Sequence, residues 1–361
     1  MTDQDSGIPQ ISNSISSNLF EEVNNLEEKV QQATLPPELK EKVFSMLKRL
    51  TRMAKFGGYS VEYEQLARYI EWITNLPWVK KSEDILDLKN AKTILDKNHF
   101  GLNNVKERIL EYLAVLELKG KNQKVSRAPI LALIGLVGTG KTSLAYSVAE
   151  AMGRKFARIP FGGMGDSLEL RGRSRAQFDA EPGLVVKTVR QCGTKNPVIL
   201  LDEIDRIAER ARSDIMGVLI ELLDIEQNMA FTDHYIDYPF DLSEVLFIAT
   251  ANNTTSISTA VLDRLEIIQM PSYSDSEKIT IAKDYILPKA LADNGLNKNS
   301  IIISEDVWPK IVRPLGFDAG LRTLERTIYG ICRKVAKYVV EGKGQTFSIT
   351  NENSKEFLPN W

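Results

Sequence analysis

The chain has 361 residues, enough for two or three domains, and its 43% hydrophobic and 26% charged content suits folded, hydrated domains. Its 46 basic and 48 acidic side chains leave a formal net charge of −2, which gives no general attraction to nucleic acid or to an anionic membrane. Two cysteines, Cys192 and Cys332, and two histidines, His99 and His234, are too few and too scattered for a metal centre or a disulfide framework, so both thiols read as reduced in a cytoplasmic protein.

Residues 1–20 are rich in Ser, Asn, Asp and Gln and read as a disordered tail, with no secretory signal in it. Nowhere does an apolar stretch reach the roughly 20 residues of a spanning helix. Residues 21–98 read as a helical segment. Phe20, Val23, Leu26 and Val30 recur at helical spacing, and Leu35-Pro36-Pro37 breaks the pattern. Val43, Phe44, Leu47 and Leu50 mark a second helix closed by Gly57-Gly58, and Leu66, Tyr69, Ile70 and Ile73 a third over 61–76.

Residues 99–270 change texture. PILALIG is a short apolar run ending in glycine, PVILLDEID a second run ending in acids, and EVLFIATAN a third, with helical patterns between them. Buried strands alternating with helices, with polar residues at their carboxyl ends, predict an α/β domain whose ligand lies along that edge. Residues 271–361 return to helical spacing, with Leu324, Ile328, Ile331 and Val335 on one face, and read as a C-terminal helical subdomain.

Gly135-Leu136-Val137-Gly138-Thr139-Gly140-Lys141-Thr142 fits G-x-x-x-x-G-K-[ST] between a predicted strand and a predicted helix. Glycines there let backbone amides converge on phosphate oxygens at a helix N-terminus. Lys141 is placed to neutralise the β- and γ-phosphates of ATP, and the Thr142 hydroxyl to ligate Mg²⁺. About 60 residues on, Asp202 ends the second strand with Glu203 beside it. Asp202 is the expected second magnesium ligand and Glu203 the residue that polarises the attacking water. A lone pair of acids at a strand end is commonly a cap or solvated turn; the phosphate loop upstream gives this one its chemical reading.

With these motifs in place, the sequence resembles the AAA+ ATPase module of the Lon ATP-dependent proteases, an α/β P-loop fold with flanking helical parts. The resemblance rests on GTKNPVILLDEID, LLDIEQNMAFTDHYIDYPFDLSEVLFIATAN, VLDRLEII and AGLRTLERTIYGICRK, with LPPELKEKV and YIEWITNLPW in the lead-in, and runs from about residue 21 onward. It implies that Asn252 is the sensor-1 amide, that Arg264 is an arginine finger reaching a neighbouring subunit, and that Arg322 is the sensor-2 arginine, preferred over Arg326 one turn on. An ion pair of Arg264 with Asp263 or Glu266 is the plainer alternative. The adenine slot falls on His99, Phe100, Leu102 and Val105, where an ordinary core is as good a reading for Phe100 and Leu102. A finger supplied in trans implies a head-to-tail interface, and such contacts close into a ring or grow into a filament; the resemblance favours the ring. The resemblance makes that ring a hexamer, its partners unfolded or misfolded protein substrates, and a separate peptidase chain a further partner it allows.

Three departures bear on function. Leu136 and Val137 replace two prolines usual in the family's phosphate loop. In RGRSRAQFDAEPG, Gln177 stands where the pore loop normally carries an aromatic residue, Phe178 follows, and Asp179 replaces a glycine; Phe178 reads equally as a shifted paddle or as a core residue. Nothing up to Trp361 matches the family's Ser-Lys peptidase domain, so no peptidase activity is expected of this chain. The leading reading is an ATPase that unfolds or translocates protein. The alternative is a nucleotide-dependent switch or interaction module with little hydrolysis.

Overall fold

A computed structural model describes residues 9–55, 60–121, 130–313 and 320–358. Three helices open the chain, α1 (Pro9–Gln32), α2 (Pro37–Lys55) and α3 (Val61–Asn75). Proline begins the first two, where its fixed φ suits a helix start and its missing N–H costs nothing. Helix α1 begins inside the stretch 1–20 that the sequence reads as a tail. Ile11, Ile15 and Leu19 extend the helical spacing of Val23, Leu26 and Val30, so one long helix is favoured despite the polar residues between them. Residues 1–8 and the expected Gly57-Gly58 break lie outside the described residues.

The chain continues through α4 (Leu88–Asn98), α5 (Asn103–Lys121), β1 (Ile130–Ile134), α6 (Lys141–Ala151), β2 (Phe156–Pro160), α7 (Leu168–Arg171), α8 (Leu184–Cys192) and β3 (Val198–Asp202). There follow α9 (Arg212–Leu223), α10 (Ile225–Asn228), β4 (Phe231–Thr232), β5 (Pro239–Phe240), β6 (Leu246–Ala251), α11 (Thr259–Leu262) and β7 (Leu265–Gln269). The last part comprises α12 (Asp275–Ile281), a π-helical turn at Ala282–Ile286, α13 (Leu287–Asp293), β8 (Ile301–Ile303), α14 (Trp308–Val312), α15 (Arg322–Val340), β9 (Phe347–Ile349) and α16 (Ser354–Phe357).

A five-stranded parallel sheet runs in the order β2-β3-β6-β1-β7. Its three inner strands, ILALI, VILLD and LFIATA, are buried at every position, as strands covered on both faces require. The edge strand β2 is only partly buried and pairs with β3 in a register that sets Pro160 against Asp202.

The chain packs as two compact units, and their division falls within β6 rather than at a point along the sequence. The first comprises Met1–Ile85, Gly153–Ile248 and Ile257–Leu265. Here the N-terminal helices are tied to the α/β part: the Tyr69 hydroxyl donates to the Ile236 carbonyl at 2.9 Å, and the Arg190 guanidinium lies 3.9 Å from the centre of the Trp72 ring. The second comprises Leu86–Met152, Ala249–Ser256 and Glu266–Trp361. Its C-terminal core gathers Trp308 and Ile311 with the Leu324, Ile328, Ile331 and Val335 face of α15. Among the described residues, no helix is long and apolar enough to cross a membrane.

Candidate functional site

In the second unit, β1 delivers the chain into the loop at 135–140 and α6 begins at Lys141. Gly138 has φ 80°, which L side chains rarely adopt, and a Cβ there would lie 3.2 Å from the backbone nitrogens of both Leu321 and Arg322. The close approach is a bond, since the Leu321 N–H donates to the Gly138 carbonyl at 2.9 Å. The first residue of α15, Arg322, is therefore beside the phosphate loop by its backbone, and its exposed side chain extends from there. Arg326 is exposed one turn further along the helix.

Lys141 is only 8% exposed. Its ammonium donates to the carbonyls of Gly135 at 2.5 Å and Leu136 at 3.0 Å, and to the Asn252 side-chain oxygen at 3.1 Å. The phosphate-loop lysine and the expected sensor-1 amide are thus in contact, although 111 residues separate them. Asn252 follows the end of β6, and its Nδ2 is buried with no hydrogen-bond partner. A buried amide donor without an acceptor is costly, by roughly 1–3 kcal/mol. An anionic oxygen beside the ammonium is the group that would satisfy it, so these residues fit a nucleotide phosphate. Thr139 is fully buried and donates to the Leu136 carbonyl at 2.9 Å, whereas Thr142 is exposed. Leu136 and Val137, the substitutes for proline, are exposed as well.

Behind the loop, His99 is buried against α6, with its Nε2 2.9 Å from the Ser147 hydroxyl and its carbonyl accepting from the Lys106 ammonium at 2.7 Å. Burial and the neighbouring Lys106 charge push the imidazole down to about 4, so the ring is neutral near pH 7. Leu102 is buried in a left-handed conformation at φ 55°, and Phe100 is half-buried. Tyr273, which the sequence reading missed, is buried with its hydroxyl 3.9 Å from where a Gly140 Cβ would stand. Its only sequence signal is an aromatic residue soon after the last sheet strand.

In the first unit, β3 ends at Asp202, which is 5% exposed. Its carboxylate accepts a 2.6 Å hydrogen bond from Nε of Arg158 on β2, a partner that becomes visible only once the strand register is known. Glu203 has φ 57° and ψ 48°, a left-handed geometry that a long side chain adopts at a cost of about 1–2 kcal/mol. Its carboxylate lies so close to the next loop that a Cβ on Gly162 would come within 2.9 Å of it, and Arg206 pairs with it at 3.7 Å. Such strain is retained where the surrounding structure over-determines it, as functional sites do.

Arg264, also in the first unit, pairs with neither Asp263 nor Glu266. Its guanidinium donates to Asp224 at 3.1 Å and to the Ala260 carbonyl at 2.7 Å, and its Nε is buried without a partner. Burial raises the Asp224 carboxyl, but the hydrogen bonds from Arg264, the Glu226 amide and Gln227 outweigh it and hold the group below the ordinary carboxylate range. The core alternative for Phe178 is overturned: the ring is 99% exposed. Nearby Asp179 is paired with Arg173. Among the described residues there is no cluster of three or more His, Cys, Asp or Glu that could hold a metal by itself; any magnesium here would take oxygens from few protein groups and from phosphate, as that ion commonly does.

Comparison with known proteins adds to this geometry. Residues 131–273 match the ATPase family associated with various cellular activities, and residues 292–347 match the AAA+ ATPase lid domain of Lon protease. The chain is 47% identical over 338 residues to a Lon protease of Lawsonia intracellularis, covering 94% of this chain and 40% of that protein. It is 43% identical over 338 residues to a Lon protease of Geobacter metallireducens, with 94% and 40% covered, and 44% identical over 337 residues to Lon protease 1 of Bacillus subtilis, with 93% and 43% covered. It thus spans about two-fifths of the length of these relatives. The phosphate loop on its sheet, the lid helix docked beside it and these matches together identify the chain as an AAA+ ATPase module of the Lon protease family.

Proposed function

We propose that this chain binds ATP with Mg²⁺ and hydrolyses it to ADP and phosphate within an oligomeric ring, a hexamer, to unfold or translocate protein substrates. It would serve as the ATPase part of an ATP-dependent protease or quality-control system. The observation that carries the reading is the buried ammonium of Lys141 in contact with Asn252, whose amide donor has no protein acceptor. A triphosphate oxygen answers that demand better than any neutral ligand.

In this reading the loop at 135–142 grips the phosphates and Lys141 exchanges its carbonyl partners for phosphate oxygens. Asn252 donates to the γ-phosphate or orients the attacking water. Glu203 polarises that water, its strained backbone fixing the carboxylate. Thr142 and Asp202 offer the hard oxygen ligands that Mg²⁺ prefers, and the bound ion neutralises developing phosphate charge. Arg264 serves a neighbouring subunit's nucleotide and would exchange its hold on Asp224 for that role, while Arg322 couples nucleotide state to the lid. The adenine is assigned to the slot around His99, Phe100 and Leu102. Phe178, free of the core, serves as the paddle that contacts polypeptide.

A steady-state ATPase assay tests the proposal. The parent should turn over ATP only with magnesium, and Glu203→Gln should bind ATP without turnover. A parent as inert as the variant would favour a nucleotide-dependent switch instead.

A further inference from the structure

In the first unit, α7 and α8 are joined by the loop 172–183 that carries Phe178 at its tip. The base of this loop is closed unusually tightly. The Arg173 N–H donates to the Glu181 carbonyl at 2.9 Å, and Gly183 approaches so near that a Cβ on it would lie 2.0 Å from the Leu170 carbonyl oxygen. Beneath the closure sits Asp233, directly after β4 and 1% exposed. One of its carboxylate oxygens accepts the Gly183 N–H at 2.7 Å; the other accepts the N–H groups of Tyr235 at 2.8 Å and Ile236 at 3.0 Å. A second tie lies alongside, from the His234 N–H to the Arg171 carbonyl at 2.7 Å.

These contacts choose the residue type. Three buried N–H donors converge on one side chain, so it must accept on every side and donate on none. An ionised aspartate does this, whereas an asparagine of the same shape turns an N–H₂ toward at least one donor. The turn at 233–236 is itself anchored, because the Tyr69 hydroxyl holds the Ile236 carbonyl at 2.9 Å. The loop is fixed at its base by Asp233, Arg175 within it lies 3.9 Å from the centre of the Tyr69 ring, and at its tip Phe178 is 99% exposed while lining, with Tyr69 and Tyr235, a cavity of about 190 Å³.

We infer that Asp233 is a positioning residue for polypeptide handling: by clamping Gly183 to the turn at 233–236 it holds the 172–183 loop rigid, so that Phe178 stays presented to substrate rather than collapsing onto the surface. The inference rests on the reading of Phe178 as the polypeptide contact. Asp233 touches none of the residues assigned to ATP, so it acts on the grip and not on the hydrolysis.

The test uses Asp233→Asn in the full chain, with unfolded casein as the polypeptide probe. The variant keeps one oxygen for Tyr235 and Ile236, since turning it round would sacrifice two bonds to save one, and it faces Gly183 with an N–H₂. Hydrogen exchange of the Gly183 amide should then quicken about tenfold or more, as an amide losing its buried acceptor does. Basal ATP turnover should stay unchanged, while the casein concentration giving half-maximal stimulation rises about tenfold. A faster Gly183 amide with an unaltered casein response would overturn the inference. Phe178→Ala separates the two layers: if it leaves the casein response intact, the paddle reading itself fails, and if it weakens the response while Asp233→Asn does not, only the clamp fails. Gly172→Ala approaches the same bond from the other side, its Cβ reaching 2.9 Å from the Asp233 carboxylate, and should reproduce the loss. Should neither variant fold, exchange in the parent decides: a Gly183 amide no slower than those of the loop tip overturns the clamp, and one slower by about a hundredfold supports it.

Discussion

The ends of β1 and β3, one in each compact unit, are built in different ways. After β1 the work is done by backbone: a glycine with φ 80° bends the loop, and the buried ammonium of Lys141 rests on two carbonyls of its own segment. The loop's bonds also reach far along the chain, since Lys141 meets Asn252 and the Gly138 carbonyl accepts from Leu321. After β3 the work is done by side chains held against their inclination. Asp202 is held by a guanidinium 44 residues away, and Glu203 sits in a left-handed conformation. A binding surface can be flexible because many amides share the task. In the proposed reading Glu203 polarises water and must be aimed, and its left-handed backbone fixes where the carboxylate points.

The largest effect should therefore come from Glu203→Gln, which removes the base and leaves the phosphate grip intact. Turnover is expected to fall by about 10²–10⁴-fold, with ATP affinity within a few-fold of the parent. If affinity drops as far as turnover, the contrast between a gripping end and an aiming end is wrong. Asn252→Ala should come next, costing about 10²-fold in turnover, the usual loss when a preorganised donor to developing charge is removed. Because its oxygen also holds Lys141, some loss of ATP affinity is expected here and not in Glu203→Gln.

Much of the loop after β1 was legible because its motif lies within one short window, although its bond to Leu321 was not. The loop at 135–142, the three buried strands and the apolar face of α15 are set by spacing within short windows. Asp202 and Glu203 were legible as residues, but what holds them was not. The pairing of Arg158 with Asp202 depends on the β2–β3 register, and the closeness of the Glu203 carboxylate to Gly162 on two loops about 40 residues apart. The same holds for Asp224 beside Arg264 and for Asp233 beneath the Phe178 loop, each joined to its partner across 40 or more residues.

Behind the gripping end, His99 gives a pH test. Its folded value of about 4 lies below the ordinary 6.5, so the unfolded chain takes up the proton first. Stability is then complete above about pH 7 and declines as pH falls from 6.5 toward 4, by up to about 3 kcal/mol. Denaturant unfolding at pH 7 and pH 4.5 measures it. His99→Gln, which keeps a polar partner for Ser147, should show a shallower decline over that window; parallel profiles for the two proteins would rule His99 out as the cause.

The smallest expected effect is the most direct probe of the aiming end. If Glu203 stores backbone strain, Glu203→Gly should release it, because glycine adopts φ near 57° freely. Relief is worth about 1–2 kcal/mol, and glycine's greater freedom in the unfolded chain takes back about 0.5–1, which leaves a net gain of about 0.5–1 kcal/mol. For a chain of this size that is a rise of roughly 1–3 °C in Tm. Glu203→Gln is the control: it loses the same ion pair with Arg206 but keeps the strained geometry, so its Tm should match the parent. A glycine variant that is more stable and inactive, beside a glutamine variant that is equally stable and inactive, would assign the strain to the backbone and the chemistry to the carboxylate. Equal Tm values for both variants would mean that residue 203 reaches its position without strain.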